Sequence, residues 1–238
     1  MNVLGSILLT ITILSIGVSV AQAGVVIGGT RVIFDGNKKE ASIGINNPDK
    51  TPYLIQSWIE TPGGGGEKAP FIITPPLYRL NNGQQNVERI VATGALPQDK
   101  ESLFYFNVRE APPKSERPNV MQLALHTKIK LFYRPKAILP EKYSRWDNQL
   151  VLQKVNGGYR VENPTPYYVT VIGITPAPNM AVAKGFESVM VAPKSTAMVN
   201  SSHFTTPHVT TINDFGGKPT LPFSCNGNVC RAAAKPAS

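Results

Sequence analysis

Residues 120–134 have the sequence VMQLALHTKIKLFYR, the longest strand-like run in the chain, and Pro135 follows it directly. Met121, Leu123 and Leu125 recur at every second position, which is the period of a β-strand, so their side chains share one face. Such a row has two interpretations. It faces the core of its own domain, or it lies on an edge strand and is reserved for a partner. The period predicts the strand and does not separate the two.

Shorter strand-like segments lie on both sides of this run, separated by Gly and Pro residues. Before it they span residues 30–34, 41–45, 53–59, 71–74, 86–91 and 102–108. After it they span residues 150–155, 159–162, 167–174, 188–191 and 196–199. Short strands with such spacing are typical of β-sandwiches. Because the pattern pauses at about 135–147, the sequence predicts an all-β protein with two sandwich domains, 24–142 and 143–238.

The N-terminal segment has the features of an export signal. Residues 1–23 carry no charged side chain, and an apolar stretch ends in Ala21-Gln22-Ala23. Small residues at this spacing indicate a signal-peptidase site and a mature chain that begins at Gly24. Since no Lys or Arg precedes the apolar stretch, an uncleaved signal anchor is the alternative. No other segment approaches the roughly 20 apolar residues that a membrane span needs.

The composition is that of a globular protein with many turns. The chain of 238 residues is 42% hydrophobic and 16% charged, with 21 prolines and 20 glycines, which argues against disorder. Its formal net charge of +9 would fit nucleic acid, acidic surfaces or carboxylates as ligands. Because the basic residues are scattered and the chain carries an export signal, we expect no nucleic-acid partner.

The two cysteines, Cys225 and Cys230, flank a turn signal, Asn226-Gly227. A hairpin there would bring the two side chains together, and export permits a disulfide. Half of a metal site is the alternative, but no further cysteine or nearby histidine completes it. We therefore expect a disulfide and no metal.

No enzyme motif is present in the sequence, which lacks H-E-x-x-H, G-x-S-x-G and a phosphate-binding loop. His126, His203 and His208 are not at ligand spacing with cysteines or carboxylates. His203 and His208 lie in a segment rich in Ser, Thr and Pro, so we expect them in an exposed loop. We expect neither catalysis nor a cofactor.

The chain resembles the PapD-like periplasmic chaperones of the chaperone–usher pathway. The segments that carry the resemblance span both domains: LPQDKESLFYFNVREAPP (96–113), TRVIFDG (30–36), TKIKLFYRP (127–135), NPTPYYV (163–169), INDFGG (212–217) and the cysteine hairpin. Ala111 departs mildly from the family pattern, where a larger aliphatic residue usually stands. The resemblance implies two immunoglobulin-like domains arranged like a boomerang, with a cleft between them.

The resemblance also implies roles for individual residues. Arg31 and Lys130 match the cleft pair that anchors the C-terminal carboxylate of a pilin subunit. The alternating residues of the donor strand, which pairs with the pilin, match Met121, Leu123, Leu125 and Thr127. An inter-domain salt bridge is implied for Glu101, Arg134 and Asp214. By strict alternation Lys130 lies on the face opposite Met121, unless the strand twists or bulges between them.

The implied function is that of a periplasmic chaperone that caps pilins by donor-strand complementation and delivers them to an outer-membrane usher without ATP. The connection 110–119 is short and lacks cysteine, as in family members that serve rod-forming adhesive pili. The exposed edge predicts weak self-association of the free protein. The alternatives are an immunoglobulin-like pilus subunit, which would need a spare N-terminal donor strand, and a secreted enzyme, which would need a catalytic constellation.

Overall fold

The structure is a computed structural model, and it describes residues 24–63, 68–116, 118–141 and 144–233. The predicted signal peptide, residues 1–23, lies outside the described residues, and so do residues 142 and 143, where we placed the domain boundary.

Strands make up almost all of the regular structure. The first domain contains β1 (Val26–Ile27), β2 (Arg31–Asp35), β3 (Glu40–Asn46), β4 (Tyr53–Glu60), β5 (Phe71–Thr74), β6 (Leu77–Leu80), β7 (Gln85–Ala92), β8 (Ser102–Ala111) and β9 (Leu125–Arg134). The second contains β10 (Val151–Val155), β11 (Gly158–Asn163), β12 (Val169–Thr175), β13 (Val189–Val191), β14 (Ser195–Asn200), β15 (His208–Ile212), β16 (Thr220–Asn226) and β17 (Val229–Ala232). Single 3-10 turns lie at Lys136–Ile138 and Asp147–Gln149.

The first domain is a sandwich of two sheets, ordered β1-β3-β7-β5 and β2-β9-β8-β4-β6. Alternate residues of each strand point inward, and the core includes Phe34, Ile45, Ile55, Phe106 and Leu131, each at most 1% exposed. Burial of one such side chain contributes roughly 1.5–3 kcal/mol. All neighbours in these sheets are antiparallel except β2 and β9, which are parallel. That parallel pair positions the functional site described below.

The second domain has its own core between two sheets that share a strand. β16 pairs with β15 on one side and with β17 on the other, so it connects β13-β12-β15 to β17-β10-β11-β14. Tyr159, Leu152, Val171 and Phe223 are fully buried between the sheets. The predicted all-β fold with two immunoglobulin-like domains is confirmed.

The predicted cysteine hairpin is present. Cys225 on β16 and Cys230 on β17 are direct cross-strand partners, and their sulfur atoms are bonded at 2.01 Å. The two-residue loop is Gly227-Asn228, one residue later than the sequence signal indicated, and Gly227 has a φ of 59°. Glycine suits this position because a left-handed backbone costs it nothing.

The structure corrects two expectations. His208 does not lie in a loop: it begins β15, where the alternating burial of residues 208–212 is that of a half-buried strand. His203 is exposed as predicted, although its Nε2 lies 2.7 Å from the carbonyl oxygen of Gly158. The strand predicted from Val120 begins only at Leu125, because the pairing of β8 with β9 ends at Glu110 and Leu125.

Candidate functional site

The two halves of β9 have different surroundings. β8 pairs with β9 along its length, from Leu125 to Tyr133. On the other edge of β9, β2 pairs only from Lys130 onward. We call residues 125–129 the open half and residues 130–134 the closed half. Within the described part of the chain, no strand pairs with the outer edge of the open half, so its backbone donors and acceptors are available to another strand.

The apolar row predicted from the sequence is exposed and lies at the open half and just before it. Met121 is 86% exposed, Leu123 68% and Leu125 46%, and Thr127 is also exposed. Met121 and Leu123 precede the strand and have no neighbouring strand with which to pair. Exposed leucines and a methionine in one row are typical of an interaction surface. In the free chain this row does not pack into the core of its own domain.

The register of β8 and β9 decides which way each side chain faces. It continues without a shift from Ser102 opposite Tyr133 to Glu110 opposite Leu125. Ile129 and Leu131 pack against the first-domain core, so by alternation Leu125 belongs to the core-facing side. Lys130 therefore lies on the opposite face. Leu125, the last residue of the apolar row, and Lys130 thus lie on different faces of one strand, and no bulge separates them.

Arg31 and Lys130 form a basic pair at the junction of the open and closed halves. Arg31 begins β2 and is the register partner of Lys130 on β9. Partners in a parallel ladder point to the same face, so the two cations lie side by side. Both are half-buried, and the Nε of Arg31 is buried without a hydrogen-bond partner.

The electrostatics of the basic pair favour an anionic ligand. Burial lowers the pKa of Lys130, and the neighbouring charge of Arg31 lowers it further. Burial also lowers the pKa of Arg31, although the charge of Asp214 opposes this. Two partly desolvated cations are stabilised by an anion between them. A carboxylate fits best, because it accepts hydrogen bonds from Lys and can bind Arg with both oxygens.

The three side chains expected in the inter-domain network meet around Arg134, the last residue of β9. Its Nε donates to Glu101 Oε1 at 2.7 Å, and its terminal nitrogens donate to both oxygens of Asp214 at 2.7 and 3.0 Å. Glu101 Oε2 also accepts a hydrogen bond from the backbone N–H of Tyr168, at 2.7 Å. Burial lowers the pKa of Arg134, but the hydrogen bonds of Asp214 and the charge of Glu101 outweigh this and raise it. Arg134 thus remains charged and joins the two domains.

Other contacts across the domain boundary were not predicted from the sequence. The rings of Phe132 and Tyr168 lie 5.5 Å apart, and Lys194 Nζ lies 3.5 Å from Asp99 Oδ2. Phe132 is on the same face of β9 as Lys130 and Arg134, which identifies this face as the one that meets the second domain. The two-residue alternation of a strand could have predicted that Lys130, Phe132 and Arg134 share a face. It could not have predicted that the second domain packs against that face.

Neither a membrane helix nor a metal site is present in the described ranges. No helix there is long and apolar enough to cross a membrane, and no group of three or more His, Cys, Asp or Glu side chains is arranged to hold a metal ion.

Models of two protein families match the chain. Residues 24–139 match the N-terminal domain of the pili and flagellar-assembly chaperone PapD, and residues 145–223 match the C-terminal domain of the same chaperone. Each match corresponds to one of the two sandwiches.

Individual relatives agree with these matches. The chaperone protein PapD of Escherichia coli is 50% identical over 220 residues, which cover 90% of this chain and 91% of the relative. The chaperone protein PmfD of Proteus mirabilis is 43% identical over 229 residues, covering 92% and 90%. Among solved structures, the periplasmic chaperone SfaE has a TM-score of 0.68 at 34% identity, covering 84% of this chain and 98% of its own. The SafB chaperone in complex with the SafA pilin of Salmonella enterica has a TM-score of 0.72 at 28% identity, covering 86% and 97%.

Proposed function

The chain belongs to the PapD family of pilus-assembly chaperones, and from this premise we propose that it captures pilin subunits with the open half of β9 and the basic pair. It is a chaperone and not an enzyme. The single observation that carries the proposal is that the unpaired edge of residues 125–129 ends at the register pair of Arg31 and Lys130.

The open half of β9 supplies the strand that an incomplete pilin lacks. Strand addition gains main-chain hydrogen bonds, and alternate side chains fill pockets of the partner. Met121 and Leu123, which precede the open half, supply such side chains together with Leu125 and the smaller Thr127 within it. Each leucine that becomes fully buried contributes roughly 1.5–3 kcal/mol. Binding itself therefore stabilises the subunit, and the proposal needs no ATP.

The basic pair fixes the register of the added strand. The C-terminal carboxylate of a pilin occurs at one place in its chain. Arg31 and Lys130 bind this carboxylate at the point where the open half ends. The carboxylate would also satisfy the buried Nε of Arg31, which lacks a partner in the free chain. A pilin strand whose C-terminal carboxylate binds this anchor can pair only with the open half, because the closed half is already paired with β2.

The Glu101–Arg134–Asp214 network keeps the second domain next to the anchor. Asp214 accepts a hydrogen bond from Arg134, and its negative charge raises the pKa of Arg31. One carboxylate of the second domain therefore interacts with both arginines. The net free energy of such a buried network is small, since desolvation opposes the Coulomb attraction. Its role in the proposal is to fix geometry.

The proposed setting is the periplasm, where an outer-membrane usher receives the loaded complex. Cleavage after Ala23 would release the mature chain, and the disulfide of Cys225 and Cys230 is compatible with that oxidising compartment. In the absence of a client, the exposed row predicts weak self-association. Light scattering over a range of concentrations would test this, and a constant monomer mass would contradict it.

Co-expression in the periplasm with a pilin from the same gene cluster tests the central proposal. We expect wild-type chain to co-purify with pilin in a one-to-one complex, and Lys130→Ala and Arg31→Ala to lose capture. Removal of one member of a buried charged contact costs roughly 2–5 kcal/mol, a loss of at least about thirtyfold in affinity. Lys184→Ala is the control, since Lys184 is an exposed lysine of the second domain outside the proposed site.

The far-UV circular dichroism spectra of all variants must match that of the wild type. An unfolded Lys130→Ala variant would show that Lys130 is structural and would contradict its role as an anchor. Full capture by a folded Lys130→Ala and Arg31→Ala double variant would contradict the anchor as well. If folded, exported wild-type chain captures none of the pilins of its cluster, the client proposal is wrong.

A further inference from the structure

The first described residues of the chain contact two carboxylates of the first domain. The backbone N–H of Val25 donates to Glu110 Oε2 at 2.5 Å, and the pKa of Asp49 is lowered, chiefly by its hydrogen bond from Tyr53 and least by the backbone N–H of Gly24. Glu110 is the residue at which the pairing of β8 with β9 ends, opposite Leu125. The N-terminal end of the described chain therefore lies beside the start of the open half of β9.

Gly24 has a positive φ and lies close to the side chain of Glu110, and both features favour glycine at this position. Its φ is 99°, and a Cβ added to it would lie 2.6 Å from Glu110 Oε1. A positive φ strains any other residue, and the carboxylate leaves no space for a side chain. The fold thus brings a carboxylate oxygen against the main chain at the residue that would become the N-terminus after cleavage.

Burial disfavours the charged form of the Glu110 carboxyl group in this arrangement. It is only 5% exposed, and burial raises its pKa, although the Val25 N–H opposes this. Asp49 accepts a hydrogen bond from the hydroxyl of Tyr53 at 2.7 Å. Burial, followed by that hydrogen bond, raises the pKa of Tyr53 to about 12. The titratable groups that act on Glu110 and Tyr53 are carboxyl groups, and the ionised form of a buried carboxyl group is stabilised by a neighbouring cation.

We infer that Glu110 and Asp49 form a binding site for the α-ammonium group of Gly24, a site that is completed when the signal peptide is removed. Hydrolysis of the peptide bond between Ala23 and Gly24 consumes one water: the hydroxyl goes to the Ala23 carbonyl carbon and a hydrogen to the Gly24 nitrogen. The resulting amine takes a further proton and becomes a cation, which a peptide N–H cannot be. The inference rests on the proposed cleavage after Ala23.

The site links maturation to the client-binding edge. β1 is short, with only Val26 and Ile27 paired to β3, so few hydrogen bonds hold the N-terminal segment to the sheet. An ion pair at Gly24 would fasten this segment to Glu110, the cross-strand neighbour of Leu125. The precursor, which lacks the charge, would hold the same segment less firmly.

The pKa of the N-terminal amine in purified mature protein tests the inference. An ordinary α-amino group has a pKa of about 7.7–8.0, and a nearby opposite charge raises it by about 1–3 units. We therefore expect the amine to react with an acylating reagent about sevenfold more slowly, or slower still, at pH 7.5 than the amine of a model peptide. Glu110→Gln should restore most of the reactivity and Asp49→Asn part of it. Glu162→Gln, an exposed carboxyl group in the second domain, is the control and should change nothing.

Intact mass measured beforehand separates the two proposals. A chain that begins at Gly24 with an amine of ordinary reactivity would overturn the ammonium site and leave cleavage and the chaperone function standing. A chain that retains its leader would overturn the proposed cleavage, and the ammonium site with it, whatever its capture of pilin. The wild-type measurement alone is decisive, so a variant that fails to fold does not protect the inference.

Discussion

The open and closed halves of β9 belong to one strand and one register, yet their environments are opposite. In the closed half, Leu131, Phe132, Tyr133 and Arg134 are all buried, with β8 and β2 on either side. In the open half, Leu125 is 46% exposed and only β8 is a neighbour. The difference shows that strand-like alternation does not decide whether the apolar residues of a strand are buried in the fold or exposed. The neighbouring strand decides it.

The largest effect should come from truncating the closed half. Leu131→Ala removes a fully buried side chain, and substitutions of this kind lower the free energy of unfolding by roughly 2–5 kcal/mol. Leu125→Ala, on the same face of the same strand, should lower it by no more than about 0.5 kcal/mol. Urea denaturation followed by circular dichroism measures both. Equal destabilisation by the two substitutions would remove the distinction between the halves.

Pilin binding should show the reverse dependence. Leu125→Ala should weaken capture by roughly ten- to a hundredfold, because the leucine that would be buried in the subunit no longer contributes its 1.5–3 kcal/mol. Met198, which is 54% exposed on the second domain, provides the matched control, and Met198→Ala should leave the affinity unchanged. The dissociation constant can be measured by titrating immobilised pilin complexes with free chain. Undiminished binding of Leu125→Ala would argue against the open half as the donor.

Loss of the salt bridge at the end of the closed half should lower the free energy of unfolding by less, and its main effect should be on the orientation of the two domains. Asp214→Asn removes one charged partner of Arg134, and a hydrogen bond to a charged group is worth about 1.5–3 kcal/mol. The asparagine can keep one of the two hydrogen bonds, so we expect about 1.5 kcal/mol or less. The radius of gyration in small-angle scattering should change if the domains reorient. Asp99→Asn, which breaks the exposed pair with Lys194, should measurably change neither the free energy of unfolding nor the radius of gyration.

The smallest effect should be a dependence of pilin capture on alkaline pH. The pKa of Lys130 is lowered by burial and by Arg31, whereas a bound carboxylate would raise it, so binding favours the protonated form. Affinity should therefore be constant below the pKa of the free state and fall as the pH rises through it. The fall should begin below the value of about 10.4 that is typical of lysine. Lys130→Arg should bind without this fall, and an identical profile for both proteins would exclude Lys130 as the titrating group.

The sequence predicted most strands because alternation and turn residues are local properties. Strand β9 shows where this ends. The alternation of residues 120–134 is uniform, but residues 120–124 form no strand because β8 offers them no partner. β6 was not predicted, since Leu77–Leu80 follows two prolines and is short. His208 was assigned to a loop from composition, although β12 and β16 enclose its strand.

The site was less accessible from the residues alone than the fold. A lone arginine at residue 31 and a lone lysine at residue 130 carry no signal of their own, and only the family resemblance paired them. The structure shows the physical basis, a parallel register that sets the two cations on one face. Glu110 and Asp49 gave no sequence signal, because their importance depends on the path of the chain at Gly24.

The continuous register of β9 means that the side chains proposed to face the client and the side chains that face the second domain alternate one by one. With these proposed roles, we expect substitutions at Met121, Leu123 and Leu125 to change which subunits are accepted and to leave the proposed anchor intact. Insertion or deletion of a single residue between Leu125 and Lys130 would exchange the two faces at a stroke. We expect client preference in such a strand to diversify by substitution and to tolerate no change of length.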